Sequence, residues 1–300
     1  MTAHVLDIVD LGASGVAEIV ALAQRTPESL ARPLGGRGVA LIFEKPSNRT
    51  RHSMEIAVVE LGGHPVYTRG EEIGFDVREP VEDIGRILSG YHAMVAARVF
   101  SHSTVERLAA SCSVPVVNML SDRSHPLQAL ADVLTMVQEF GSLSGRKVAW
   151  IGDYNNVARS LFEACAGYGC ALAFAGPKGF GPDAGEVERI VSLGAASFES
   201  SVDPRDAVVG ADAVHTDTWV SMGQEAEKAE RLRTFADYTV NSDLMRVAGP
   251  DAVFMHCLPA YRGLEVSAEV IDGPSSRVIR QGHNRLHSAR GALAWSMGVR

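Results

Sequence analysis

"VALIFEKPSNRTRHSMEIAVVELGGHPVY" (Val39–Tyr67) sets two short apolar runs on either side of an amphipathic segment. Residues 39–43, a β-branched and apolar run, and 64–68 read as strands bounded by polar and glycine-rich turns. Between them Met54, Ala57, Val58 and Leu61 recur at spacings of three and four, which predicts a helix. Ser47 is its expected N-cap and Gly62-Gly63 its expected stop. Strand, helix, strand is the unit from which parallel sheets are built, because a parallel neighbour requires a crossover. One feature of that helix is electrostatically odd: Arg49 and Arg51 occupy the first turn, where the macrodipole is already positive and Asp or Glu is preferred. Arginine is a good helix former and the surface penalty is small, so chance is one explanation. The other is an anion held by free backbone N–H groups, the hydroxyls of Ser47 and Thr50, and a guanidinium.

The same alternation runs the length of the chain and predicts an α/β fold of two domains, each a mainly parallel sheet flanked by helices. Strands are expected at 39–43, 64–68, 93–99 and 114–119 in the first half. In the second they are expected at 147–152, 171–176, 213–217, 238–241 and 253–256. A periodic helix from Pro126 to Phe140 separates the sets, and the small, polar "GSLSGRK" after it is the expected boundary. Domains are thus placed at 1–140 and 145–283. Three hundred residues with 46% hydrophobic content suffice for two such cores.

A net charge of −8 with no basic tract argues against a nucleic-acid partner. No apolar run approaches the roughly 20 residues of a membrane span, and "MTAHVLDIVDLG" lacks a basic stretch followed by an apolar one, so a cytoplasmic protein is expected. Cys112, Cys165, Cys170 and Cys257 form no CxxC pair or zinc-like cluster, and neither metal nor cofactor is predicted.

In open parallel sheets ligands bind beyond the carboxyl ends of the strands. Six unusual clusters follow predicted strands: "EKPSNRTR", "ARVFSH", "LSDRSHPLQ", "GDYNN", "DTWVSMGQE" and "CLPAYRG". The expected site is a cleft where the two sheet edges face. Pro126 at a first helical position leaves His125 at the cap and Gln128 in the first turn. His125 taken alone reads first as a capping or packing residue, though the near-neutral pKa of histidine keeps it eligible as a catalytic group, while Gln128 offers the donor and acceptor that a neutral amide needs. Arg98 ends an apolar strand, either solvated or facing an anion. "GDYNN" lacks the GxGxxG glycines of a dinucleotide site, which opposes a dehydrogenase. Asn156 reads as a cap or as a contact to a small polar ligand. Asp217, four residues before Ser221, reads as a turn residue or as a carboxylate for a ligand ammonium. Cys257 has His256 beside it in sequence. Strand alternation sends the two side chains to opposite faces, so a contact role is favoured over a covalent one.

Taken in order, "FEKPSNRTR", "ARV", "HPLQ", "GDYNN", "DTWVSMGQE", "HCLPAYRG" and "HNRLH" resemble the aspartate/ornithine carbamoyltransferase family over nearly the whole chain. DxxxSMG with HCLP points to ornithine as the acceptor. The resemblance implies transfer of the carbamoyl group of carbamoyl phosphate to the δ-amine of L-ornithine, giving L-citrulline and phosphate in arginine metabolism. It also implies a homotrimer, and a C-terminal helix of about 284–300 that returns to the first domain. It assigns carbamoyl phosphate to Ser47, Asn48, Arg49, Thr50, Arg98, His125, Gln128, Arg285 and the main chain at Cys257 and Leu258. Thr50, Arg98, His125 and Cys257 are the implied catalytic set. Ornithine is assigned to Asn156, Asp217, Ser221, Met222 and Cys257. Arg51, three residues before Met54 and so on the apolar face, is expected to pair internally with a carboxylate and to be structural. Three positions depart from the family pattern: Asn48 for a usual Thr, Glu72 for a Gln that a neighbouring subunit lends, and Tyr261 for a common His. The competing acceptors are putrescine and a modified ornithine.

Overall fold

The computed structural model describes residues 3–220 and 225–300. The chain divides into two compact units, Met1–Leu134 with His283–Arg300, and Thr135–Gly282. The division runs through the helix Pro126–Phe140, and the last helix, Val278–Ser296, belongs mostly to the first unit.

The first unit holds a parallel sheet of β1 (Gly38–Phe43), β2 (His64–Arg69), β3 (His92–Arg98) and β4 (Val116–Leu120), in the order β2-β1-β3-β4. β1 and β3 are buried on both faces, which is why they read as unbroken apolar runs rather than alternating ones. The helix between β1 and β2 spans Asn48–Glu60 with Ser47 as its extended N-cap residue. Its end is a Schellman turn: Gly62 N–H bonds the Val59 carbonyl, Gly63 N–H bonds the Val58 carbonyl, and Gly62 takes φ +84°. A Cβ on Gly63 would sit 2.9 Å from the Leu34 Cβ, so both glycines are required. Ala40, Ile42, Val95, Ala97, Val105 and Leu108 form part of the apolar core of this unit.

The second unit is a five-stranded parallel sheet of β5 (Lys147–Ile151), β6 (Ala171–Ala175), β7 (Ser197–Ser201), β8 (Ala213–Thr216) and β9 (Val253–His256), ordered β7-β6-β5-β8-β9. Two sequence expectations fail here. Residues 238–241 are no strand: Ala236–Tyr238 is a 3-10 turn and Val240 makes one isolated bridge, to Val266. β7, "SFESS", was not foreseen, because an edge strand with mostly exposed side chains carries no apolar run to detect. Among the described residues no helix is long and apolar enough to cross a membrane.

Both sheets contain a switch point, where the chain reverses its direction of winding. It lies between β1 and β3 in the first unit and between β5 and β8 in the second. Loops leaving such strand pairs diverge to opposite faces and leave room for a ligand at their carboxyl ends.

Candidate active site

At the first switch point, the helix Asn48–Glu60 begins with bare donors. The Ser47 side chain caps none of its N–H groups; its hydroxyl instead lies 3.0 Å from the Thr50 Oγ1. Arg285, on the last helix, donates from Nη2 to the same Thr50 Oγ1 at 2.9 Å and from Nη1 to the Gln128 Oε1 at 2.6 Å. With its oxygen accepting from Ser47 and Arg285, Thr50 has its hydroxyl proton left to offer. Gln128 is held at both ends, since its Nε2 donates to the Asp132 Oδ1 at 2.7 Å, and one amide hydrogen remains for a ligand. Thr50 and Gln128 are each 1% exposed, so these bonds are made away from competing water. Asp132 was not singled out from sequence; a carboxylate four residues after Gln128 inside an apolar helix was the available signal.

His125 sits at the head of the helix Pro126–Phe140, where its carbonyl accepts from the N–H groups of Gln128 and Ala129. Burial pushes its imidazole well below the usual histidine range, and the positive fields of Arg285 and Arg98 push further the same way. It is therefore a neutral donor or acceptor at physiological pH. Arg98 closes β3, 5% exposed, and its carbonyl receives the Glu44 N–H at 2.9 Å. Lys45, also unremarked in the sequence, adds a fourth basic group: its Nζ lies 4.4 Å from the Phe100 ring centre, and its ammonium is depressed by burial and then by Arg98. Positive groups so gathered repel one another and gain from an anion between them.

Arg49 is half-buried and Asn48 exposed in that first helical turn, outside the bonds joining Ser47, Thr50, Gln128 and Arg285. Arg51 pairs with a carboxylate as expected, Glu55 at 2.8 Å, but not internally. It lies at the surface over the Tyr67 ring, 3.9 Å from its centre, because a cation beside the apolar stripe can turn outward. Glu72 is used locally, its Oε2 accepting the Arg69 N–H at 2.9 Å.

At the second switch point Asp217, just after β8, is held by three donors. Oδ1 receives the Thr218 N–H at 2.8 Å and lies 3.1 Å from the Cys257 Sγ, and Oδ2 receives the Asn155 Nδ2 at 2.9 Å. Asn155 also caps the helix Asn156–Gly167 through the N–H groups of Val157 and Ala158. Cap and carboxylate anchor are thus Asn155, while Asn156 is the first helical residue; the cap two positions before Val157 was the missed signal. Leu258 N–H is taken by the His256 Nδ1 at 2.9 Å, which leaves its carbonyl as the main-chain group for a ligand. Ser221 and Met222 lie outside the described residues.

Among the described residues, one set of metal-ligating atoms converges: Asp217, His256 and Cys257, within 4.8 Å of one another. Both His256 nitrogens are engaged, Nδ1 as above and Nε2 with the Glu265 Oε1 at 3.2 Å, and Glu265 also receives the Tyr261 N–H at 2.6 Å. The set is an internally bonded cluster that orients Asp217 and the Cys257 turn.

Residues 3–138 match the family described as aspartate/ornithine carbamoyltransferase, carbamoyl-P binding domain, and residues 144–296 its Asp/Orn binding domain. The chain belongs to the aspartate/ornithine carbamoyltransferase family. Among family members, ornithine carbamoyltransferase of Thermus thermophilus is 48% identical over 96% of this chain and 95% of its own. The solved ornithine carbamoyltransferase of Pyrococcus furiosus superposes with a TM-score of 0.93 at 42% identity, covering 99% of this chain and 97% of that one. A more distant member, an acetylornithine transcarbamylase complexed with acetylcitrulline, reaches 0.88 at 25% identity, covering 98% of each chain.

Proposed function

We propose that the protein transfers the carbamoyl group of carbamoyl phosphate to the δ-amine of L-ornithine, releasing L-citrulline and phosphate. The observation that carries this reading is the buried cation-rich end of the first sheet: bare N–H groups of the helix Asn48–Glu60 beside Arg98, Arg285 and a neutral His125. A dianionic phosphate supplies the missing negative charge, with Ser47, Asn48, Arg49 and Thr50 as its contacts. Thr50, Arg98 and His125 donate to the carbonyl oxygen, with Gln128, Arg285 and the main chain at Cys257 and Leu258 completing the carbamoyl-phosphate site. The neutral δ-amine attacks the carbonyl carbon and a tetrahedral oxyanion forms. Its collapse breaks the bond from carbon to the phosphate oxygen, and the leaving phosphate takes the amine proton. Each oxyanion donor contributes on the order of 2.7–4 kcal/mol. His125 serves as such a donor and not as a proton source, in keeping with its depressed imidazole.

Asp217 receives the ornithine α-ammonium, and Asn156, Ser221, Met222 and Cys257 complete the acceptor site, with Cys257 in contact rather than covalently bound. Three donors already fixing Asp217 keep its carboxylate aimed. The biosynthetic direction is favoured by likeness to the anabolic ornithine carbamoyltransferase of Pyrococcus furiosus, 46% identical over 89% of this chain and 86% of its own. A cytoplasmic homotrimer is the proposed working form. Exposed Ile56 and Val59 on one helix and Ile87 and Tyr91 on another support self-association of the first unit.

A colorimetric citrulline assay with carbamoyl phosphate tests the acceptor, run with ornithine beside putrescine, lysine, N-acetylornithine and aspartate. Ornithine-dependent product is expected; product with another amine alone would withdraw the acceptor assignment. Light scattering on the purified protein tests the trimer, and a monomer or dimer would refute it.

A further inference from the structure

The two loops that diverge at the second switch point carry the acceptor residues: Asn155 and Asn156 follow β5, and Asp217 follows β8. One bridge between the loops is the Asn155–Asp217 bond. Another is Arg231, on the short helix Lys228–Thr234 and only 5% exposed. Its Nε donates to the Trp219 carbonyl at 2.5 Å, and its Nη2 donates to the Asp153 carboxylate. The guanidinium carbon lies 5.2 Å from the ring centres of both Phe180 and Phe235, and the Trp219 ring stacks on Phe235 at 6.0 Å. Asp153 is fixed in turn through its carbonyl, which accepts the Trp150 Nε1 at 2.9 Å.

We propose that Arg231, with Asp153 as its anchor, is a positioning residue for the amine acceptor, setting the spacing of the two loops and so the place of the Asp217 carboxylate. Trp219 is two residues from Asp217, so a carbonyl held at fixed distance from Asp153 leaves that carboxylate little freedom. The planar fork matters: one edge meets a carbonyl and another a carboxylate while the Phe180 and Phe235 rings pack against it. An ammonium is a point charge and reaches one acceptor well. A charge-neutralising role alone would need only a cation beside Asp153 and would be indifferent to the Trp219 carbonyl. The proposal rests on Asp217 holding the acceptor.

Three variants test it: Arg231→Met, Arg231→Lys and Asp153→Asn. Arg231→Met is expected to raise the ornithine KM about tenfold or more while the carbamoyl phosphate KM stays within about twofold. Arg231→Lys, which keeps the charge, should still raise the ornithine KM by about threefold. Hydrogen exchange in Arg231→Met should quicken in peptides covering 150–157 and 213–220 and stay unchanged elsewhere in the unit. Unchanged ornithine KM in the lysine variant, or exchange that quickens throughout the second unit, would reduce Arg231 to a stabilising ion pair and overturn the proposal. Should Arg231→Met fail to fold, Arg231→Lys and Asp153→Asn decide by the same two readouts. If the wild type uses another amine, the acceptor assignment fails while the positioning role is judged on the KM for that amine. If no amine is turned over, the exchange pattern judges it alone.

Discussion

Arg285→Met removes the side chain that joins Thr50 to Gln128. Without ligand the balance is mixed. Two buried acceptors lose a charged donor, costing about 1–3 kcal/mol each, but one positive charge leaves the surroundings of buried His125. The decisive quantity is therefore stabilisation by carbamoyl phosphate, not the unliganded melting point. One charge-assisted contact to the phosphate or carbonyl oxygen is worth about 2.7 kcal/mol at the upper part of its range, or about a hundredfold in Kd. At a ligand concentration about 100 times the wild-type Kd, the wild type gains about 2.7 kcal/mol, whereas a variant bound a hundredfold more weakly gains about 0.4 kcal/mol. For a unit of about 150 residues this corresponds to melting shifts of about 5–11 °C against about 1 °C. Differential scanning fluorimetry across a carbamoyl phosphate titration reads both shifts, and isothermal titration gives Kd directly. A variant whose ligand-induced shift equals the wild type's would refute the placement of Arg285 in the anion site.

Asp217→Asn should raise the ornithine KM by about tenfold or more with carbamoyl phosphate affinity intact, measured by steady-state kinetics; equal loss for both substrates would place Asp217 elsewhere. Arg49→Ala should weaken carbamoyl phosphate binding about tenfold or more, while Arg51→Ala, whose partner is Glu55 at the surface, should leave that affinity unchanged. Isothermal titration separates the two, and equal effects would count against the helix-start account. His215, buried against Trp150, has its imidazole pushed down to about 3 from 6.5 by burial and then by His256. Above pH 6.5 both folded and unfolded forms are neutral; below it the unfolded chain takes the proton and the folded chain does not, so stability falls with pH. The loss at pH 5 is about 2 kcal/mol, and denaturant melts of His215→Phe should show a correspondingly shallower pH slope. An identical slope would refute that burial.

Most of this was legible without coordinates because it depends on local periodicity. The apolar runs of β1, β3, β5 and β9 and the glycine stop after Leu61 are properties of neighbouring residues, and so is the rule that polar clusters follow strands. Edges were less legible: β7 needs no apolar face, and 238–241 has strand-like residues but only a single bridge. Arg51 and Arg49 are both first-turn cations, yet only packing shows which turns outward to Glu55 and Tyr67.

The sequence by itself determined two parallel α/β units, the family, and the segments bearing the chemistry, because these are encoded in spacing and residue type. Tertiary structure alone decided that Arg285, 235 residues from Thr50, bonds it, and that Asn155, the cap of the next helix, also holds Asp217. It alone placed Asp132 behind Gln128 and Arg231 between two loops, and it alone made His125 neutral. Those outcomes depend on burial and on long-range convergence of charges, and linear spacing carries neither.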